Sequence, residues 1–187
     1  MPNDYNVRQT LRDLRAELHT PMLIVASAAN LLMIARGLDL SVGSMLAANS
    51  VLAAYLASHG TPIWQSYLAA LALGSTIGFV NALVVVRLKV SPIIAALGTM
   101  SVGRGIAYLI SPSAILVGLP KSWDWLGTSF IGTVPTSPVI AIGIFLLFNT
   151  LLSKTIFGRH VYAIGGNEET ARLSGVSVER VLSLLYI

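Results

Sequence analysis

The stretch Trp64-Gln65-Ser66-Tyr67-Leu68-Ala69-Ala70-Leu71-Ala72-Leu73-Gly74-Ser75-Thr76-Ile77-Gly78-Phe79-Val80-Asn81-Ala82-Leu83-Val84-Val85-Val86 holds no charged side chain. At about 1.5 Å per residue, a helix of this length crosses the roughly 30 Å hydrocarbon core of a bilayer. The rest of the chain agrees with that reading. Of its 187 residues 55% are hydrophobic and only 11% are charged, and the mean hydropathy is +0.76. A water-soluble domain needs a charged shell, with charged residues at about 25%. The composition therefore excludes a disordered chain, a nucleic-acid-binding domain and an ordinary cytosolic enzyme, and points to an integral membrane protein built of helices. The 12 basic and 8 acidic residues give a net charge of +4. The basic residues sit singly between apolar runs, which is a topology signal rather than a nucleic-acid footprint. Cysteine is absent, so disulfides, thiolate metal sites and cysteine nucleophiles are excluded.

Four further apolar runs flank the first: Pro21–Ala35, Val42–Ser58, Pro92–Ile110 and Val134–Leu152. Residues 1–20 are polar, with Val7, Leu11, Leu14 and Leu18 on one helical stripe. They read as an amphipathic arm lying on the membrane surface, ahead of a transmembrane domain over residues 21–187. Arg87 and Lys89 close the third run, and Lys154, Arg159 and His160 close the fifth. Both clusters are expected on the cytoplasmic side. Counting spans puts residues 1–20 outside, and 111–133, with Trp123 and Trp125, in an external loop. An outside N-terminus without a signal peptide suggests a missing first span. A sixth run starting at Val181 is cut off at Ile187, so the sequence is expected to be a fragment.

Four features can carry function. In Gly37-Leu38-Asp39-Leu40-Ser41-Val42-Gly43 an aspartate lies between two apolar runs, where a charge at a helix centre costs about 2.5–3.5 kcal/mol. Either a helix breaks there to line a cavity, or the segment is an interfacial turn. In both cases Asp39 or Ser41 can cap the helix that starts near Val42. In the third run Ala70, Gly74, Gly78 and Ala82 form a stripe of small residues for close helix packing. Asn81 beside it, like Asn30 and Asn49, either bonds across helices or faces a polar pathway. In the fourth run Arg104 either snorkels outward or faces a wet cavity with Thr99 and Ser101. Lastly, Asn167 is an N-cap, Glu168 and Glu169 fill a first turn, and Gly175 suits C′ of a helix of about two turns in a loop between spans. Such defined caps argue that something docks on it. His19, His59 and His160 have no partner at metal-ligand spacing. No phosphate-cradling loop, zinc-protease motif or Ser/His/Asp grouping is present.

Three blocks carry a family resemblance. Gly37-Leu38-Asp39-Leu40-Ser41-Val42-Gly43-Ser44 resembles a signature of ribose-type sugar ABC-transporter permeases. Ile94-Ala95-Ala96-Leu97-Gly98-Thr99-Met100 with Arg104-Gly105 resembles the family's next block. Phe157–Gly175 resembles its cytoplasmic loop. The order is the family's, and the likeness runs from Leu23 to Ile187. Leu38 and Thr170 depart from the commoner isoleucine and alanine.

The resemblance implies a fold and a function. The fold is all-α: a polytopic transmembrane helical bundle with a broken helix and a short cytoplasmic coupling helix. The function is that of the membrane-spanning permease subunit of an ATP-driven sugar importer in the bacterial inner membrane, working by alternating access. Its partners are an ATP-hydrolysing ABC subunit, a periplasmic sugar-binding protein, a second permease subunit and the lipid bilayer. No cofactor, metal or nucleic acid is expected, and hydrolysis belongs to the partner. Asp39, Ser41, Asn81, Thr99 and Arg104 are expected near the translocation pathway or in support of it. Asn167, Glu168, Glu169, Ala171, Arg172 and Gly175 form the expected ATPase-coupling loop. The alternatives are a related permease for branched-chain amino acids, nucleosides or an autoinducer-type sugar, or a fragment that only binds partner subunits. Family members are longer, with about ten spans.

Overall fold

The structure is a computed structural model and describes residues 20–111, 119–120, 123, 129–131 and 134–187. The N-terminal arm before Thr20, Trp125 and most of the expected external loop lie outside the described residues. Eight helices are described. They are α1 Thr20–Ile34, α2 Val42–Ser58, α3 Ile63–Ala82, α4 Pro92–Ile110, α5 Thr136–Lys154, α6 Ile156–Gly166, α7 Glu168–Leu173 and α8 Val178–Tyr186. A π-helical turn, Leu83–Arg87, prolongs α3. A small antiparallel ribbon, β1 Phe130–Ile131 and β2 Val134–Pro135, precedes α5.

The apolar runs set these helices and prolines set their starts. Pro62 and Pro135 stand at the N-caps of α3 and α5, and Pro92 opens α4. Proline costs nothing there, because the first N–H groups of a helix lack partners anyway. The fifth run starts as helix at Thr136 rather than Val134, since Val134 pairs with Ile131 in the ribbon. Three helices are long and apolar enough to cross a membrane: Ile63–Arg87, Pro92–Ile110 and Thr136–Lys154. About four-fifths of each crossing stretch lies outside the buried interior, leaving Leu71, Phe79, Leu109 and Leu147 outward. Apolar faces that large need lipid rather than water.

α1 and α2 are the two shorter apolar helices, and the chain breaks between them. Arg36 takes the left-handed conformation, φ 60°. Its N–H donates to the Met33 carbonyl at 3.0 Å, and the Gly37 N–H to the Leu32 carbonyl at 2.9 Å. This pair of bonds satisfies the last carbonyls of α1. A Cβ at Gly37 would lie 2.5 Å from Leu32 Cδ1, so the buried Leu32 side chain would have to shift to admit one.

α2 lies between α3 and α4 and packs extensively on both. Its buried residues include Ala48, Ala53, Ala54 and Ala57, so backbones approach closely. The small-residue stripe of α3 serves two neighbours. Gly74 abuts the Asn49 side chain of α2, and Gly78 abuts the Tyr186 carbonyl of α8. On α4, a Cβ at Gly103 would lie 2.9 Å from Ser44 Oγ. A second core joins the other helices around Leu31, Ala35, Leu152, Val161, Ile164 and Val181. Gly165 meets the Ile34 carbonyl there. The Arg36 guanidinium donates to the Gly166 carbonyl at 3.1 Å. Lys89, Arg36 and Arg172 line one cavity, so the ends of α1 and α3 and the α6–α8 segment share one charged end of the molecule.

Candidate functional site

At the helix break, the side chains of Asp39, Ser41 and Asn81 meet. The Ser41 N–H donates to Asp39 Oδ1 at 2.7 Å, and Ser41 Oγ donates to the same oxygen at 2.6 Å. From α3, Asn81 Nδ2 donates to Asp39 Oδ2 at 3.3 Å and to Ser41 Oγ at 3.1 Å. Ser41 is 0% and Asn81 1% exposed. Among the described residues the carboxylate is thus met by three donors and by no cation. Asn81 precedes Arg87 by under two turns, so the cluster lies about 9 Å inside the charged end of α3.

The capping expectation is corrected here. No side chain caps the start of α2, and Ser41 already has near-helical angles, φ −78° and ψ −14°. Asp39 spends one oxygen on Ser41 and the other on Asn81. It therefore ties the break to α3 instead of finishing α2. Ser44 Oγ donates to the Ser41 carbonyl at 2.7 Å and carries the polar network on toward Gly103 of α4.

Thr99 and Arg104 do not join the cluster. Thr99 Oγ1 returns to the Ala95 and Ala96 carbonyls of its own helix, each at 3.1 Å, and Ser101 Oγ to Leu97. Arg104 is exposed and has no ion partner among the described residues. Asn30 is exposed as well, and among the described residues it makes no bond to another helix. Asn49 packs on Gly74, and its Oδ1 is buried without a partner.

One participant was not singled out from the sequence. Tyr186, at the end of α8, is 7% exposed, and its hydroxyl faces Asp39 and the Leu38 backbone. It shares a cavity of about 310 Å³ with Asp39 and Asn49. No motif surrounds Tyr186, and only the packing of α8 on α3 brings it there.

The second candidate surface is α7. Asn167 Oδ1 accepts from the Thr170 N–H at 2.9 Å, which caps the helix. Glu168 and Glu169 fill its first turn, and the Arg172 guanidinium donates to Glu168 at 3.0 Å. At the other end Gly175 has φ +85°. Its N–H donates to Arg172 and that of Val176 to Ala171, both at 3.0 Å. These two bonds form a Schellman end. Ala171 turns inward at 4% exposed, while Leu173 is 81% exposed. A six-residue helix fixed at both ends thus presents acidic residues and an apolar side chain outward.

A family model described as branched-chain amino acid transport system / permease component matches residues 16–187. The chain belongs to this family. Among its relatives, the fructose import permease protein of Bifidobacterium longum is 36% identical over 168 residues, 88% of this chain and 47% of the relative. The ribose import permease protein of Escherichia coli is 37% identical over 168 residues, 87% of this chain and 52% of the relative. The L-arabinose transport system permease protein of Escherichia coli is 37% identical over 149 residues, 80% and 45% respectively. The chain spans about half the length of the curated relatives it matches. No solved structure matches it. These relatives are transport permeases rather than enzymes, and with the apolar helices they make this a multi-pass membrane protein.

Proposed function

We propose that the protein is the membrane-spanning permease subunit of an ATP-driven sugar importer in a bacterial inner membrane, and that it works by alternating access. The observation that carries the reading is α7, an exposed helix fixed at both ends on the charged face, in a chain whose relatives are named for fructose, ribose and arabinose import. An ATP-hydrolysing ABC subunit docks on Asn167–Gly175, with Glu168, Glu169 and Leu173 toward it and Ala171 and Gly175 holding the helix in place. Closure of the ATPase displaces α7. The shift passes through the core shared by Ala171, Val178, Val161 and Leu31 into α1, and so reaches the break. The Asp39–Ser41–Asn81 tie makes the break move with α3. Thr99 and Arg104 of α4 belong to the wall that α2 and α4 build together.

A periplasmic sugar-binding protein delivers substrate on the opposite side, and a second permease subunit completes the pathway. The protein itself performs no hydrolysis and needs no cofactor. The description of the family model names branched-chain amino acids, and a pathway for such substrates is the second reading. The sugar names of the relatives favour the first. Sugar uptake that depends on both ATP and the ATPase subunit tests the reading as a whole.

The charged end is assigned to the cytoplasm. Cysteines replacing Lys89 and Glu169 are then reached by an impermeant thiol reagent only from the cytoplasmic side. A cysteine replacing His59, at the far end of α2, is reached only from outside. Labelling of His59→Cys and Glu169→Cys from one side would overturn the assignment.

A further inference from the structure

Tyr186 stands where three elements meet. Its side chain is buried with Leu32 of α1 and Ala82 of α3. Its carbonyl rests on Gly78 of α3. Its hydroxyl faces Asp39 and the Leu38 backbone, and Leu38, Asp39 and Tyr186 border one cavity. The end of α8 therefore reaches the break that separates α1 from α2. The start of α8 belongs to the other candidate surface. Val178 and Val181 share a core with Ala171 of α7, and the Val176 N–H donates to the Ala171 carbonyl at 3.0 Å. Only residues 174–177 separate the two helices. From Val178 to Tyr186 α8 rises about 12 Å. It contains neither proline nor glycine, so nothing within it provides a kink. It spans from α7 to Asp39 as one rigid piece.

The chemistry at the far end suits a position-sensitive link. Packing contacts between apolar side chains fade gradually as helices slide. A hydroxyl facing a carboxylate is far less forgiving. A shift of about 1 Å, ordinary for a helix at an interface, makes or breaks a hydrogen bond. Asp39 has acceptor capacity to spare. Both bonds to Oδ1 are short, at 2.7 and 2.6 Å, whereas Asn81 meets Oδ2 at 3.3 Å. A carboxylate oxygen can accept more than that one long bond.

We infer that Tyr186 is a positioning residue: its hydroxyl sets the Asp39 carboxylate, and with it the helix break, according to the place of α8. This rests on the reading of α7 as the helix that docks the ATPase. Displacement of α7 carries α8 with it. The hydroxyl then gains or loses its hold on Asp39, and the break follows. Asp39 acts at the break directly, and Tyr186 acts through Asp39.

The chain has no cysteine, so Leu40→Cys places a single thiol next to Asp39, at an exposed side chain. N-ethylmaleimide attacks the thiolate and so reports how far water reaches that point. The protein is held in vesicles with its ATPase and binding protein, with or without ATP and vanadate to trap the ATPase closed. In the Leu40→Cys parent, trapping should change the labelling rate about fivefold. Adding Tyr186→Phe keeps the ring and removes only the hydroxyl. The response should then shrink to less than about twofold, with ATPase co-purification and the thermal midpoint unchanged. Adding Leu185→Ala instead trims the packing of the same helix end and leaves the hydroxyl, so the response should persist. A Tyr186→Phe protein that responds as fully as the parent, or that loses its response together with its bound ATPase, would overturn the inference and leave the docking reading in place. An equal loss in Leu185→Ala would assign the effect to packing and overturn it as well. A parent that does not respond to trapping would remove the docking reading and the inference together.

Discussion

Asp39→Leu is expected to leave membrane insertion intact, to destabilise the folded protein by about 3 kcal/mol, and to abolish transport. The magnitudes separate these effects. Removing a carboxylate eases insertion by up to about 2.5–3.5 kcal/mol at a helix centre, and by less near an end. In the folded state, however, Ser41 and Asn81 lose their shared acceptor. Each buried donor left without a partner costs about 1–3 kcal/mol. Asp39→Asn is milder, because the amide oxygen still accepts from Ser41. Its NH₂ group then faces the NH₂ group of Asn81, donor against donor. Asn81→Asp alone sets two carboxylates side by side. Combining Asp39→Asn with Asn81→Asp restores one acceptor between the pair. The double variant should therefore recover to within about 1 kcal/mol of wild type, against the sum of the single losses. Thermal unfolding of the four proteins in detergent measures the coupling. Strictly additive losses would mean that the tie between the break and α3 carries no energy.

Loss of coupling is the second large effect expected. Glu168→Lys with Glu169→Lys opposes the dipole of α7 and removes the bond from Arg172. Leu173→Ala removes the most exposed apolar side chain of the helix. Gly175→Val forces a β-branched residue to φ +85°, at a cost of about 2 kcal/mol. A plain surface connector tolerates such changes within about 0.5 kcal/mol. A docking helix does not. Each variant should insert normally and retain about a tenth or less of the ATPase on co-purification, and hydrolysis should no longer drive uptake. Undiminished association in all three would return Asn167–Gly175 to the status of a connecting loop.

The elements of the fold were legible because lipid imposes simple rules. An uncharged run of sufficient length forms a helix, and the five runs appear as α1 to α5 within two residues of their expected ends once the π-helical turn that prolongs α3 is included. The break at Gly37–Gly43 was legible from an aspartate that a continuous span would not tolerate. The ends of α7 were legible because Asn167 and Gly175 are chemically suited to caps. What the sequence hid depends on packing. Asp39, Ser41 and Asn81 each stood out singly, but their meeting needs α2 laid against α3 across forty residues of chain. Thr99 and Ser101 looked available to a cavity until their hydroxyls returned to their own helix. Arg36 closes α1 in a conformation that usually selects glycine, which leaves no sequence signal. Tyr186 and Leu173 look alike as apolar side chains near helix ends, yet one is buried and the other is 81% exposed.

Uptake tests the central claim most directly. Vesicles holding the protein with its ATPase and binding protein are loaded with ATP and offered labelled pentoses and hexoses. At least one sugar should accumulate with ATP and not without it, and Asp39→Leu should abolish that accumulation. Uptake indifferent to ATP, or wild-type uptake by Asp39→Leu, would contradict the account.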